Sequence, residues 1–252
     1  MKIDKEAAEA SILGGAILGG GGGGWIEEGR TLAQLALQRG FSKIHSLKDI
    51  PDEAVLLTVS AVGAPSAGSS ILEPEDYVRA VEMFAEKTGI KIGGLISSEI
   101  GALGIVNGWL QSAALNIPVV DAPCNGRAHP LGLMGSMGLT KKEKYISRQT
   151  AVGGRAKSNN QVEAFFEGPL SEVSKKVRES AVTAGEWSLW LEIQFLRLML
   201  KIMGRRAPCE WLLRPEDCFS KKQTIKLALK KLLNILSLSS AGHSWRKELS
   251  EN

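Results

Sequence analysis

The chain has 252 residues, 44% of them hydrophobic and 23% charged, with a formal net charge of +4 at pH 7. This is ordinary globular composition, enough for one large or two small domains, and so small a charge argues against dedicated nucleic-acid binding. No apolar run reaches the roughly 20 residues that span a bilayer, so a membrane partner is not expected.

In chain order, the acids of "MKIDKEAAEA" leave no apolar core for an export signal. Residues 4–18 read as a helix with apolar Ala7, Ala8, Ile12 and Leu13, stopped by the run Gly19 to Gly24. Trp25 to Gln38 reads as a second helix, with Ile26, Leu32, Leu35 and Ala36 on one side and Gly40 as its stop. "KIHSL" is a short strand. "EAVLLTVSAVGAP" is a continuous apolar run ending in a turn, the pattern of a strand buried on both faces. Pro74 to Thr88 is a helix, "GGLISSEIGAL" a second buried strand, Ala102 to Leu115 a helix, and "IPVVDAPCNGR" a third buried strand. Strands alternating with helices predict an α/β fold, a parallel-rich sheet covered by helices in three layers. Further on, "KYISRQTAVGG" and "QVEAFFEG" read as strands, and "PLSEVSKKVRESAVTAG" as a helix ended by Gly185.

The composition breaks near Gly185. All but two of the 28 glycines lie at or before it, whereas four of the six tryptophans lie after it. Residues 1–186 carry a net charge of −2 and residues 187–252 a net charge of +6. The boundary predicts an α/β domain over 1–185 and a tail of different origin, helical or disordered, over 186–252.

In an open parallel sheet, ligands bind beyond the carboxyl ends of the strands. Three such ends are readable: "VGAPSAGSS" with Gly63, "SSEIGALG" with Glu99, and "DAPCNGRAHP" with Asp121, Cys124, Asn125, Arg127 and His129. Glu99 and Asp121 could converge as a carboxylate pair for acid–base work or metal binding, or each could cap the following helix or loop. Arg127 could clamp an anionic or amide-bearing ligand, or pair with Asp121. His129 could be a ligand group or a base, and Cys124 a nucleophile or an inert buried thiol. The glycines Gly20, Gly21, Gly22 and Gly23 could lay bare backbone over a small polar ligand, or form a spacer. They lack the Lys-Ser/Thr of a P-loop and come after a helix, not a strand, so they do not spell a nucleotide site. No His/Cys/Asp spacing is diagnostic of a metal, and no cofactor is implied. Three cysteines without a C-x-x-C fit a reducing, cytoplasmic setting.

The segments "GGAILGGGGGG", "VSAVGAPS", "SSEIGALG", "VVDAPCNGRAHP" and "SRQTAVGG" fall in the order and spacing of the S-methyl thiohydantoin desulfurase family. The chain resembles that family over about residues 5–185. The resemblance implies an N-terminal α/β domain followed by a mostly β C-terminal domain, in a protein longer than this chain. It implies removal of sulfur from a methylthio-substituted hydantoin-like ring, or a non-catalytic, ligand-binding role beside a hydantoinase- or oxoprolinase-type partner. It also implies that the glycine loop, the Glu99 motif and the Asp121–Arg127 segment line the pocket. Glu99, Asp121 and Arg127 are then the expected catalytic groups, and Gly20 to Gly23, Gly63, Asn125 and His129 the expected substrate contacts. Many members carry a glycine-rich, acid-containing version of the third motif, where this chain has Pro123, Cys124 and Asn125 and then Leu131 after Pro130.

Beyond Gly185 the resemblance predicts a segment like "VAVARNPVP", whereas the chain reads "EWSLWLEIQFL". The genetic code relates the two. Joining the third base of each codon to the first two of the next lets Trp190–Leu191 yield Ala, Leu191–Glu192 Arg, Glu192–Ile193 Asn, Ile193–Gln194 Pro and Gln194–Phe195 Val. Residues from about Glu186 onward therefore read as an out-of-frame version of the family's gene. The competing reading keeps the tail as real structure, with "TIKLALKKLLNILSL" a basic amphipathic helix that lies on a membrane or a partner.

Overall fold

The computed structural model describes residues 1–63, 72–122, 124–126, 137–139, 145–154 and 161–183, together with the backbone of 187–194. These lie in the first of two units, Met1–Ala207; the second, Pro208–Asn252, is outside the described residues.

Helix α1 spans Lys5–Gly19 and α2 Ile26–Gln38, followed by strands β1 (Ile44–Ser46) and β2 (Val55–Gly63). Helix α3 (Pro74–Thr88), β3 (Ile92–Ser97), α4 (Trp109–Leu115) and β4 (Val119–Asp121) come next. The described part closes with β5 (Ile146–Gly153), β6 (Val162–Pro169), α5 (Leu170–Thr183) and β7 (Trp187–Gln194). Asp4 starts α1 by accepting the Ala7 N–H at 2.8 Å, and Gly20 ends it in the left-handed region.

The strands form one sheet in the order β1-β4-β3-β2-β7-β5-β6. The first four are mutually parallel; β7 is antiparallel to both β2 and β5, and β6 is antiparallel to β5. Alternation along each strand separates two cores. Leu57 and Val59 of β2, Leu95 of β3 and Val119 of β4 pack under α1 to α4, with Ile12, Phe84 and Trp109. Leu56, Ile96, Val120 and Ala151 face the other way, against Leu170 and Val177 of α5. The result is the expected three-layer α/β fold, since a sheet rich in parallel strands must bury both faces.

Two expectations change. The helix read over Ala102 to Leu115 is broken into a 3₁₀ turn at Gly104–Val106 and the short α4, with Gly108 at φ 96° between them. A single helix cannot carry that backbone angle. Trp187–Gln194, expected in a helical or disordered tail, pairs as a strand between β2 and β5. Its alternating "WSLWLEIQ" is rich in β-formers, and a period of two suits a strand better than a helix. The helix read around residues 225–236 lies outside the described residues.

Candidate functional site at the carboxyl ends of the parallel strands

The loop leaving β3 runs from Ser98 through Glu99 to Gly104, and the glycine run is folded onto it. The N–H groups of Leu103 and Gly104 both donate to the Gly23 carbonyl, at 3.0 and 2.9 Å. A Cβ at Gly101 would stand 2.4 Å from Gly23 Cα and 2.6 Å from its oxygen, and one at Gly15 2.3 Å from the Gly101 oxygen. The glycines thus permit main chain to lie directly on main chain. Glu99 sits within this clasp: its Cγ is 3.2 Å from where a Cβ would stand on Gly104.

On its other side the same loop meets the segment after β4. Asn125 N–H donates to the Ser98 carbonyl and Ile100 N–H to the Gly126 carbonyl, each at 2.7 Å. Leu95 of β3 pairs in register with Val119 of β4, so Ser97 and Asp121, each two residues on, reach one face at neighbouring strand ends. Ser97 Oγ donates to the Glu99 carbonyl at 3.0 Å and also binds the Gly104 carbonyl, which fixes the turn. Asp121 keeps surface open to solvent, yet desolvation dominates its titration and raises its pKa above the ordinary 3.8. The N-terminal ammonium, bonded to the Ile44 carbonyl on β1, acts in the opposite direction.

The fold therefore joins Gly22 to Gly24, the Glu99 loop and Asn125–Gly126 in one connected set, with Asp121 at the adjoining strand end. Gly20 and Gly21 belong to the same glycine turn, and Gly63 ends β2, the neighbour of β3. Arg127, His129 and the "APSAGSSI" segment after Gly63 lie outside the described residues. Cys124 is buried in the core on the α5 side, which favours the inert-thiol alternative. Two groups escaped the sequence reading. Asn107 and Ser98 are buried near this loop with Oδ1 and Oγ, respectively, meeting no hydrogen-bond partner. The Asn-Gly dipeptide at Asn107–Gly108 was the one signal of it, since it marks turns.

A groove of about 490 Å3 between α1 and α2, spanned by the Glu9–Arg30 ion pair, contains none of the expected site residues. Among the described residues no group of three or more His, Cys, Asp and Glu is placed to hold a metal. No helix among them is long and apolar enough to cross a membrane.

The family model for the S-Me-THD-like N-terminal domain matches residues 7–152, more than half of the chain. The chain belongs to the S-Me-THD-like family. The match covers the glycine turn, the Glu99 loop and the Asp121 strand end, all within the N-terminal domain of the S-Me-THD-like architecture. No curated protein matches the chain. Among solved structures, a crystal structure of a protein from Chromobacterium violaceum is similar over 96% of this chain, with a TM-score of 0.59 and 20% identity. At that identity the likeness is one of fold. The chain spans 64% of the length of that protein.

Proposed function

We propose that this S-Me-THD-like chain is the N-terminal α/β domain of a protein related to S-methyl thiohydantoin desulfurase, and that the strand-end crevice binds a hydantoin-like ring. The observation that supports it most is the clasp of the glycine turn onto the loop carrying Glu99, beside a carboxyl of raised pKa at Asp121. Two carboxyls of unlike surroundings suit acid–base work. Glu99 takes a proton from water, which attacks the methylthio-bearing ring carbon. Asp121 gives a proton to the departing sulfur. The C=N π bond opens onto the ring nitrogen, which takes that first proton back from Glu99; the oxygen then loses its second proton to Glu99 as the C–S bond breaks, so methanethiol leaves, the ring carbon becomes a carbonyl, and solvent returns the proton to Asp121. Arg127 and His129, with Asn125 and the glycines, hold the ring. The test is release of methanethiol from an S-methyl thiohydantoin. Activity falling at least about 100-fold in Glu99→Gln and in Asp121→Asn supports the assignment; unchanged turnover in either removes that residue from the chemistry.

A second reading is a binding or accessory subunit for a hydantoinase-type partner. Ring binding without turnover selects it. The setting in both cases is cytoplasmic.

The domain division belongs to the same proposal. Residues 1–185 form the family domain, and 186–252 are an out-of-frame reading of the gene's next stretch. The register of β7 supports this. Strand β7 has hydrogen-bonded neighbours on each side, β2 and β5. The shifted reading permits Val-Ala-Val-Ala across Trp187–Leu191, the small aliphatic pattern such a strand wants. The coding DNA decides it: a shifted frame that does not encode this segment ends the idea.

A further inference from the structure

Helix α1 buries one face and leaves the opposite one apolar. The residues it buries are Ala8, Ser11, Ile12, Gly15 and Gly19. On the far side, Ala10, Leu13, Gly14 and Ile17 recur at the i, i+3, i+4, i+7 spacing of a second stripe. Ala10, Leu13, Ile17 and Leu18 pack into neither hydrophobic core of the described residues. Ile17 is 43% exposed, Leu18 40%, and Trp25, which starts α2 just past the glycine turn, 61%. No charged residue stands between Glu9 and Glu27. A helix apolar on all sides is normally a buried one, and a cluster of exposed large apolar side chains marks an interaction surface.

The stripe alternates in size: Ala10 is small, Leu13 large, Gly14 small and Ile17 large. An antiparallel copy of the same helix, related by a twofold axis between Leu13 and Gly14, sets each large residue against a small one. Leu13 falls over Gly14 of the other copy, and Ile17 over its Ala10. Gly14 has the room, since nothing among the described residues stands within 4 Å of an added Cβ. Ridge then meets groove on both sides of the axis, as a contact between identical surfaces requires. The ends agree in charge. The twofold brings the exposed Lys2 and Lys5 of one copy to the end where α2 of the other begins with the exposed Glu27 and Glu28. Glu6 falls opposite the glycine turn, which carries no charge.

We propose that this face of α1 is an interface between two copies of the chain. The inference is independent of the ring-binding reading. The patch is on the order of a few hundred Å2 per copy, below the roughly 800 Å2 of a standard interface, so the dimer is weak and reversible.

The test is sedimentation equilibrium of the full chain over a concentration series, beside the melting temperature of each variant. The parent is expected to pass from monomer to dimer as concentration rises. Ile17→Glu and Ala10→Lys should each raise the dissociation constant at least about tenfold, with a melting temperature near the parent's. An equimolar mixture of the two variants should recover the dimer, because position 17 of one copy meets position 10 of the other and the new charges are opposite. Should either variant melt early, Leu13→Ala, which empties the contact over Gly14 without adding charge, carries the measurement of the dimer. A parent that stays monomeric at the highest concentration reached overturns the proposal and leaves the face to a different protein or domain. Association that survives both Ile17→Glu and Ala10→Lys lies elsewhere on the chain and overturns it as well. A mixture that stays monomeric while the parent dimerises overturns the antiparallel pairing.

Discussion

At the scale of single residues, a glycine inside a helix and a glycine of the clasp behave oppositely. Gly14 is inside α1 with nothing within 4 Å of an added Cβ. Gly14→Ala should therefore stabilise the chain by about 0.5–1 kcal/mol. Gly101→Ala places its methyl against the backbone of Gly22 and Gly23, which has no flexible end to yield, and should cost about 1–3 kcal/mol. Urea unfolding of the pair checks both signs. That the glycine run could lay bare backbone over a ligand, or form a spacer, was legible in the sequence. That its partner is the loop after β3 was not, because the two segments are far apart in the chain. Asp121 makes a second residue-scale prediction. Its pKa is raised on folding from the ordinary 3.8, so below that value both states are protonated and folding is unaffected. As pH rises through the folded pKa, the unfolded chain has already released the proton and stability is lost. Asp121→Asn should thus melt at a higher temperature than the parent near pH 7, and the gap should close as pH falls toward 3.8. A gap that widens on acidification would contradict the desolvation account.

At the scale of elements, the apolar strands and amphipathic helices stand close to where their periodicity puts them. Pro74–Thr88 matches its expected span, with Pro at its start and Gly89 as its left-handed cap. The helix read through Ala102 to Leu115 does not survive as one piece. The 3.6-residue pattern continues through Asn107–Gly108, but the loop must first wrap the glycine turn and then pass over Leu95, and these contacts override propensity. Strand β7 is the other departure. It is the element bonded to both β2 and β5, so it bridges the parallel half of the sheet and the β5–β6 hairpin. A chain ended at residue 186 should lose amide protection in β2 and β5 together, as seen by hydrogen exchange.

At the scale of the whole molecule, the family match ends at residue 152 and the compositional break stands near Gly185. If the basic segment of the tail served a membrane, deletion of residues 221–238 would reduce co-sedimentation with anionic vesicles. The out-of-frame reading expects no change. The amino-acid sequence by itself determined the α/β class, the order of most elements and the strand ends at which Glu99 and Asp121 stand. Those come from local periodicity and from the rule that parallel strands bury both faces. Only the tertiary structure decided that the glycine turn closes on the Glu99 loop, that Cys124 turns into the core, that Asn107 is left with an unpaired oxygen, and that Trp187–Gln194 lies inside the sheet. Each of these depends on contacts between segments distant in the chain, where the free energy comes from packing and desolvation and leaves no periodic trace in the residues nearby.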